Sequence, residues 1–258
     1  MKTPPRSFLN QRRWLNLGWD LVRPKKAYIA EQYHPEGLPA GAPQKHCIIL
    51  HGHNSTYAFL NPVGRALRQL PGADSWHFWQ AEYDSHWKPF PLAARELNAV
   101  FRRQPYDFSN TVLVGYSMGG IVARQMAAQG FPCSALVSIC TPHEGFAPWL
   151  PPYDPGTLSI THRSAPLAAL NRNPGDVARR DRYHFFAITY ADRYGGHAHD
   201  GLVTARSALG ESLGAVAWRH RLHLKYRLAP GIDPHVRGMS PAYLSPVLQL
   251  CTDLFARL

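Results

Sequence analysis

The stretch TVLVGYSMGG, residues 111–120, decides the fold of this chain. Residues 111–116 are a run of mainly apolar and β-branched residues, which predicts a strand buried inside a sheet. The pattern G-x-S-x-G follows around Ser117 and leads into a helix predicted over residues 120–129. The glycines of this pattern permit a turn tight enough to lift the serine hydroxyl clear of the sheet edge. The stretch therefore predicts a strand, a strained turn and a helix whose positive end faces that hydroxyl.

The same alternation of strand and helix continues on both sides of this stretch. Buried strands are predicted at residues 47–52, 75–83, 135–140 and 183–190, and helices at residues 59–70, 92–103 and from Ser245 onward. Apolar strands that alternate with helices favour a parallel sheet with both faces covered. A nucleotide-binding fold is disfavoured, because the chain has neither G-x-G-x-x-G nor G-K-[ST]. We therefore predict an α/β fold class with a mostly parallel central sheet.

Two segments depart from this pattern. Residues 146–182 are rich in proline and lack a clear strand, so we predict that they form a lid insertion over the carboxyl edge of the sheet. Residues 217–228 alternate strictly between apolar and mainly basic side chains, which predicts a half-exposed edge strand. Its basic face protects the edge against aggregation or binds an anion, and the first interpretation is favoured.

Composition indicates a folded globule with an anionic partner. The 258 residues are 45% hydrophobic and 17% charged, and the net charge of +11 favours a membrane surface, an acidic ligand or nucleic acid. We find no apolar run long enough for a transmembrane helix and no signal-peptide pattern. The four cysteines show no C-x-x-C spacing, which favours a reducing compartment and predicts a cytoplasmic location.

The N-terminal 26 residues carry seven basic side chains and one acidic side chain, interleaved with leucine and tryptophan. They are interpreted either as a helix that caps the domain or as an anchor on anionic lipid. We place a basic N-terminal extension at residues 1–44 and the main domain at residues 45–258. Peripheral contact with an anionic membrane through residues 1–26 is accordingly one predicted partnership.

Two further motifs let the chain be compared with a known family. The first predicted strand ends in His51-Gly52-His53, and residues 141–145 read T-P-H-E-G. Together with G-x-S-x-G, they make the chain resemble the α/β-hydrolase family, and within it the lipase and esterase branch. The second motif is similar to the T-P-H-x-G of lipase-like hydrolases, including glycolipid inositol deacylases. The resemblance implies an α/β-hydrolase fold, with Ser117 as nucleophile and the backbone amides of His53 and Met118 as the oxyanion hole.

The resemblance also implies an acid and a base. Residues 199–207 are similar to the D-G-x-V-x-x-x-S signature around the catalytic acid of bacterial lipases, which selects Asp200, whereas Asp192 is interpreted as a turn residue. The base should follow the last strand. His235 lies on a loop past that strand and is preferred, while His223 inside the strand is kept in reserve. The order Ser117, Asp200, His235 is that of the family.

These residues imply a serine hydrolase that cleaves carboxylic esters through an acyl-enzyme. The side chains of Trp149, Leu150 and Tyr153 in the lid either receive an acyl chain or merely cover the core, and His143 is predicted to line the substrate site. An apolar lid and a basic, tryptophan-containing N-terminus favour a lipid-like ester. No cofactor is needed, and no metal site is predicted because the 14 histidines are scattered and H-E-x-x-H is absent.

Other functions stay open at this point. A thioesterase or an acyltransferase would use the same three residues, because an acyl-enzyme is common to all of these reactions. A second alternative is a non-catalytic module that binds anions or lipids on the same fold. Nucleic-acid binding is disfavoured, because the serine, acid and histidine are all present.

Overall fold

The computed structural model describes residues 24–36, 44–146, 154–190, 198–224, 235 and 243–258. Four residues discussed above lie outside this described part: Trp149, Leu150, Tyr153 and Asp192. Most of the basic N-terminal segment, residues 1–23, lies outside it as well. What the sequence predicts for these residues therefore stays a prediction.

The described residues build one central sheet of seven strands. These are β1 Tyr28–Tyr33, β2 Lys45–Leu50, β3 Trp76–Glu82, β4 Asn110–Tyr116, β5 Ala135–Ile139, β6 Tyr183–Tyr190 and β7 Trp218–Leu224. Their spatial order is β1-β3-β2-β4-β5-β6-β7, and only β1 pairs antiparallel with its neighbour. The predicted α/β class with a mostly parallel sheet is confirmed.

Helices follow most of the strands. They are α1 Asn61–Arg68, α2 Phe90–Arg102, α3 Met118–Ala128, α4 Pro155–Ser159, α5 Ala165–Arg172, α6 Pro174–Val177, α7 Ala205–Leu209 and α8 Ser245–Arg257. Short 3-10 turns lie at Tyr57–Leu60, Ala73–Ser75, Arg180–Arg182 and Glu211–Leu213. Within the predicted insertion at residues 146–182, the described part from residue 154 onward contains α4, α5 and α6.

Strand β4 lies at the centre of two apolar layers. Successive side chains of a strand point to opposite faces, so Leu113 packs with α2 and α3 while Val112 and Val114 pack with α1 and α8. Every residue of β4 after the first is buried. The helices therefore cover both faces of the sheet, as the uninterrupted apolar strands predicted.

The register brings the carboxyl ends of the central strands to one edge. Leu50 at the end of β2 is paired with Gly115 of β4, and Tyr116 at the end of β4 is paired with Ile139 of β5. Segments that follow these three strands consequently emerge side by side. Ligand sites of open α/β sheets form at this edge.

Two strands lie at the outer edges of the sheet. Strand β7 alternates between half-buried and exposed residues, which confirms the edge strand predicted there. Strand β1 was missed, and it lies within the segment 1–44 that we had placed outside the main domain. Its sequence YIAEQY has no continuous apolar run, because one side of an edge strand faces solvent. Among the described residues, no helix has both the length and the apolar character to cross a membrane.

Candidate active site

Ser117 occupies a strained turn between β4 and α3. Its backbone has φ 52° and ψ −125°, a conformation in which residues with a Cβ are rarely found. A hydrogen bond of 2.9 Å from its N–H to the carbonyl of Ile139 stabilises the turn. A Cβ on Gly115 would lie 2.5 Å from the backbone of Gly119 and Gly120, and one on Gly119 would lie 2.3 Å from the carbonyl oxygen of Leu50. The glycines of the motif are therefore required by close backbone approach.

A hydrogen-bonded chain of three side chains begins at this serine. The Oγ of Ser117 lies 2.9 Å from Nε2 of His235, and Nδ1 of the same ring lies 2.6 Å from Oδ2 of Asp200. All three residues are buried, with exposed fractions of 6%, 4% and 1%. The structure thus brings together the three residues that the sequence had assigned as nucleophile, base and acid.

Further hydrogen bonds fix the orientation of the acid and of the histidine backbone. The second carboxylate oxygen of Asp200 accepts the N–H groups of Leu202 and Val203, at 2.9 and 2.7 Å. The hydroxyl of Tyr116 donates to the carbonyl of His235 at 2.8 Å. Tyr116 is the variable residue before Ser117, and the sequence analysis gave it no role. The feature of the sequence that could have indicated its role is its position directly before Ser117.

His223, the reserve base, lies elsewhere. It belongs to the edge strand β7, and its Nδ1 lies 3.2 Å from the hydroxyl of Thr189. His235 follows that strand and is the histidine that reaches Ser117. The geometry therefore separates the two candidates that the sequence left open.

The segment after β2 passes directly beside the nucleophile. A Cβ on Gly52 would lie 3.0 Å from the Cβ of Ser117, so a larger residue here would force one of the two segments to shift. His53 is the next residue, and Met118 is the first residue of α3. The first N–H groups of a helix have no acceptor within that helix. Both residues predicted for the oxyanion hole therefore flank the serine, one on each of two neighbouring segments.

The side chain of His53 is tied to the insertion. Its Nε2 lies 3.0 Å from Oδ1 of Asp154 and 2.9 Å from the hydroxyl of Thr157. Asp154 caps the N-terminus of α4 through the backbone N–H of Thr157. Burial disfavours the charged carboxylate, but the hydrogen bonds from His53 and Thr157 outweigh it and lower the pKa of Asp154 to about 2. The insertion and the predicted oxyanion segment are thus joined through one buried carboxylate.

The structure corrects the placement of His143, which we had predicted to line the substrate site. Its side chain is fully buried and stacks on Phe185 at 3.8 Å between ring centroids. Its Nε2 lies 2.8 Å from the hydroxyl of Ser138, and its Nδ1 lies 3.3 Å from the guanidinium of Arg124. A ring enclosed in this way contacts the interior and not a ligand. The motif T-P-H-E-G is therefore structural at its histidine.

A cysteine to which the sequence analysis gave no role lies next to the hydrogen-bonded chain of Ser117, His235 and Asp200. Cys140 is fully buried at the end of β5 with φ 50°. Its sulfur, a carboxylate oxygen of Asp200 and a ring nitrogen of His235 lie within 4.8 Å of one another. A soft metal ion bound there would block the histidine. The feature of the sequence that could have placed Cys140 near the site is its position at the end of a predicted central strand.

Comparison with known proteins agrees with this architecture. The family model described as alpha/beta hydrolase fold matches residues 55–191, which is more than half of the chain. A non-reducing polyketide synthase of Pseudevernia furfuracea is 30% identical over 136 residues, covering 45% of this chain and 6% of that protein. A GPI inositol-deacylase of Candida albicans is 25% identical over 210 residues, covering 69% of this chain and 51% of that protein. The chain thus spans about half of the length of the second relative and a small part of the first.

A solved structure shows the same fold. The mature form of the lipase BlEst2 from Bacillus licheniformis superimposes with a TM-score of 0.58 at 16% sequence identity. The match covers 89% of this chain and 99% of that chain. At this level of identity the similarity concerns the fold alone.

Proposed function

The chain belongs to the α/β-hydrolase family, and from this premise we propose that it is a serine hydrolase that cleaves carboxylic esters through an acyl-enzyme. The observation that carries the proposal is the chain of hydrogen bonds from Ser117 through His235 to Asp200. A serine at its ordinary pKa is a weak nucleophile, so a neighbouring base is what makes its hydroxyl reactive.

In the first step, the Oγ of Ser117 attacks the ester carbonyl while Nε2 of His235 takes the hydroxyl proton. Asp200 accepts the Nδ1–H of the same ring, which fixes the tautomer and stabilises the imidazolium. The negative charge that forms on the carbonyl oxygen is stabilised by the amides of His53 and Met118. Loss of one such donor costs about 3 kcal/mol in the barrier.

Acylation is completed when the bond between the carbonyl carbon and the alcohol oxygen breaks. His235 returns its proton to that oxygen, and the acyl group stays on Ser117 as an ester. Water then attacks that ester with His235 again as base, which releases the carboxylic acid and restores the serine. This sequence uses no group beyond the residues of the chain and water.

We assign lipid-like acyl esters as the substrate class. Leu158 of α4, Trp87 and Leu202 expose 50%, 39% and 38% of their surface. All three lie on segments next to the proposed site. Leu202 lies two residues after Asp200. The N–H of Gly156 in α4 donates to the carbonyl of His86, the residue before Trp87. Exposed apolar side chains of this kind favour contact with an acyl chain. A lipase and a GPI inositol-deacylase among the similar proteins support the same class.

Hydrolysis of p-nitrophenyl esters tests the proposal. We expect the protein to release p-nitrophenol from butyrate and palmitate esters, and Ser117→Ala to lower kcat by at least about 10⁴-fold. Circular dichroism checks that the variant remains folded. Undiminished turnover by folded Ser117→Ala would refute the proposed nucleophile. A parallel assay with acyl thioesters and acceptor alcohols separates ester hydrolysis from thioesterase and acyltransferase activity.

The substrate class has its own test. A charged side chain on the apolar surface near the site should repel an acyl chain, so we expect Leu158→Glu to raise KM for the palmitate ester and to leave the butyrate ester unchanged. Val177→Glu is the matched control, because Val177 is equally exposed (48%) but lies on α6. Equal effects of both substitutions on both esters would contradict the assignment.

A further inference from the structure

A cluster of two histidines and one aspartate lies beside the proposed oxyanion segment. His53 follows β2, His86 follows β3 and Asp154 caps α4, so three separate segments meet at this point. One ligand atom of each side chain lies within 4.8 Å of the ligand atoms of the other two. The three residues are far apart in the sequence, which is why the scattered histidines predicted no metal site.

The distances match a site that closes around a small ion. Nε2 of His53 lies 3.0 Å from Oδ1 of Asp154, and Nδ1 of His86 lies 3.8 Å from Oδ2 of the same carboxylate. Zinc binds histidine nitrogen and carboxylate oxygen at about 2.0–2.2 Å, which places neighbouring ligands about 3.5 Å apart. Side-chain shifts of about 1 Å bring all three atoms to that spacing.

Capping of α4 explains part of the cluster but not the position of His86. The carboxylate of Asp154 accepts the backbone N–H and the hydroxyl of Thr157, as a helix cap requires. Nδ1 of His86 is buried and has no hydrogen-bond partner among the described residues, yet it faces this carboxylate. A buried nitrogen without a partner is costly unless something binds it.

Charge and exposure favour a cation that enters from solvent. The carboxylate is 97% buried, whereas the side chains of His53 and His86 are 25% and 16% exposed. The two imidazoles therefore form the side of the cluster that is more open to solvent. The bonds from Thr157 hold the carboxylate in place, as outer-shell partners do in metal sites.

We propose that His53, His86 and Asp154 bind a divalent transition-metal ion, with Zn²⁺ as the best match. Two imidazoles and one carboxylate form a common three-residue ligand set for zinc, with a water in the fourth position. In the metal-free protein the Nε2–H of His53 donates to the carboxylate, so binding requires the tautomer with its proton on Nδ1. The ion would fix the segment after β2 against α4 and stabilise the backbone around the proposed oxyanion hole. This goes beyond the proposed ester hydrolysis, which uses no metal.

Titration of chelator-treated full-length protein with ZnCl2 tests the site by calorimetry. We expect one equivalent to bind, Tm to rise, and Co²⁺ to give the intense visible absorption of a four-coordinate ion. His86→Ala should weaken Zn²⁺ binding by at least about tenfold, as should Asp154→Asn. Asparagine at position 154 retains an acceptor for the cap of α4. If the Asp154→Asn variant nevertheless fails to fold, His86→Ala decides the test. His162→Ala is the control, because that imidazole is exposed and contacts the carbonyl of Glu144.

Three results would overturn the site. Wild-type protein that binds no Zn²⁺ refutes it, and so does binding that survives both His86→Ala and Asp154→Asn. Binding that is lost in Cys140→Ala but kept in His86→Ala would place the ion at the cysteine beside His235. All of these outcomes are read from metal binding, so they are independent of whether Ser117 hydrolyses esters.

Discussion

Two of the networks that the structure describes place a buried histidine near a buried aspartate, and they differ in what faces the imidazole. In the proposed catalytic chain, His235 lies between the hydroxyl of Ser117 and the carboxylate of Asp200. In the second network, which we call the arginine network (Arg124, Ser138, His143, Asn171, Asp176 and Arg180), His143 lies between a serine hydroxyl and a guanidinium. The aspartate of that network pairs with Arg124 instead, at 2.7 Å.

The charge of the group that faces the imidazole decides whether the ring can take up a proton. A carboxylate stabilises the imidazolium that forms when a serine loses its proton. Burial, and next the nearby Arg124, hold the pKa of His143 well below its ordinary value, so that ring stays neutral. Both histidines are almost fully buried, and burial alone therefore does not identify a catalytic base. A catalytic base is distinguished instead by the charge of the group next to its ring.

The largest effect is expected from removal of the imidazole of the catalytic chain. His235→Ala should lower kcat for ester hydrolysis by at least about 10⁴-fold, because His235 is the base that contacts the serine hydroxyl among the residues that the structure describes. Steady-state kinetics with a p-nitrophenyl ester measures it. His223→Ala is the control and should keep wild-type kcat. The opposite ranking of the two variants would mean that the base has been assigned to the wrong histidine.

Removal of the guanidinium of Arg124 should disrupt the arginine network and leave the catalytic residues unaffected. Arg124→Met leaves the fully buried carboxylate of Asp176 with one cationic partner, Arg180, and should lower the free energy of unfolding by about 3–5 kcal/mol. Urea denaturation measures this loss, and kcat of the folded protein should stay close to that of the wild type.

A matched surface pair sharpens this prediction. Arg221 lies 3.3 Å from Glu211 with both side chains more than 40% exposed, so Arg221→Met should change stability by less than about 1 kcal/mol. An equal loss in Arg124→Met and Arg221→Met would show that the arginine network contributes no more than an exposed ion pair.

A smaller effect is expected where one hydrogen bond positions the catalytic histidine. Tyr116→Phe removes the bond to the carbonyl of His235 but keeps the ring contact with Phe59, so kcat should fall roughly fivefold, or about 1 kcal/mol, with KM unchanged. Tyr183→Phe removes a hydroxyl bonded to Asp176 in the arginine network and should leave kcat unchanged. A purely structural role of Tyr116 would lower stability and leave kcat intact.

A further effect concerns pH. Because the pKa of His143 is lowered by folding, the unfolded chain binds more protons than the folded chain once the pH falls below about 6.5. This contribution to stability is complete above that pH and is lost on acidification. His143→Gln should therefore lose less of its free energy of unfolding between pH 7.5 and pH 5 than the wild type does, as measured by urea denaturation at both values. An identical loss in the two proteins would contradict the neutral, enclosed ring.

The sequence predicted those features that depend on local pattern. The apolar runs of β4, β5 and β6 placed the central strands to within a residue or so, and G-x-S-x-G placed the turn at Ser117. Chain order and a loop position favoured His235 over His223, and the hydrogen bond between His235 and Ser117 then separated the two candidates. The signal is strong at these places because parallel strands are buried on both faces and the turn demands glycine.

The features that the sequence missed depend on contacts between distant segments. Strand β1 has no apolar run of its own, and its pairing with β3 decides its conformation. His143 was assigned to the substrate site because its motif follows a central strand, but only packing against Phe185 shows that the ring points inward. No feature of the sequence near His53 predicts its hydrogen bond to Asp154 of the insertion.

The most direct test of the central claim is covalent labelling of the nucleophile. A fluorophosphonate reacts with a serine hydroxyl only where a neighbouring base and amide donors activate it. Mass spectrometry of the intact protein and of its peptides should show one adduct, carried by Ser117 in the wild type and lost in His235→Ala. An unmodified Ser117, or equal labelling in His235→Ala, would contradict the account.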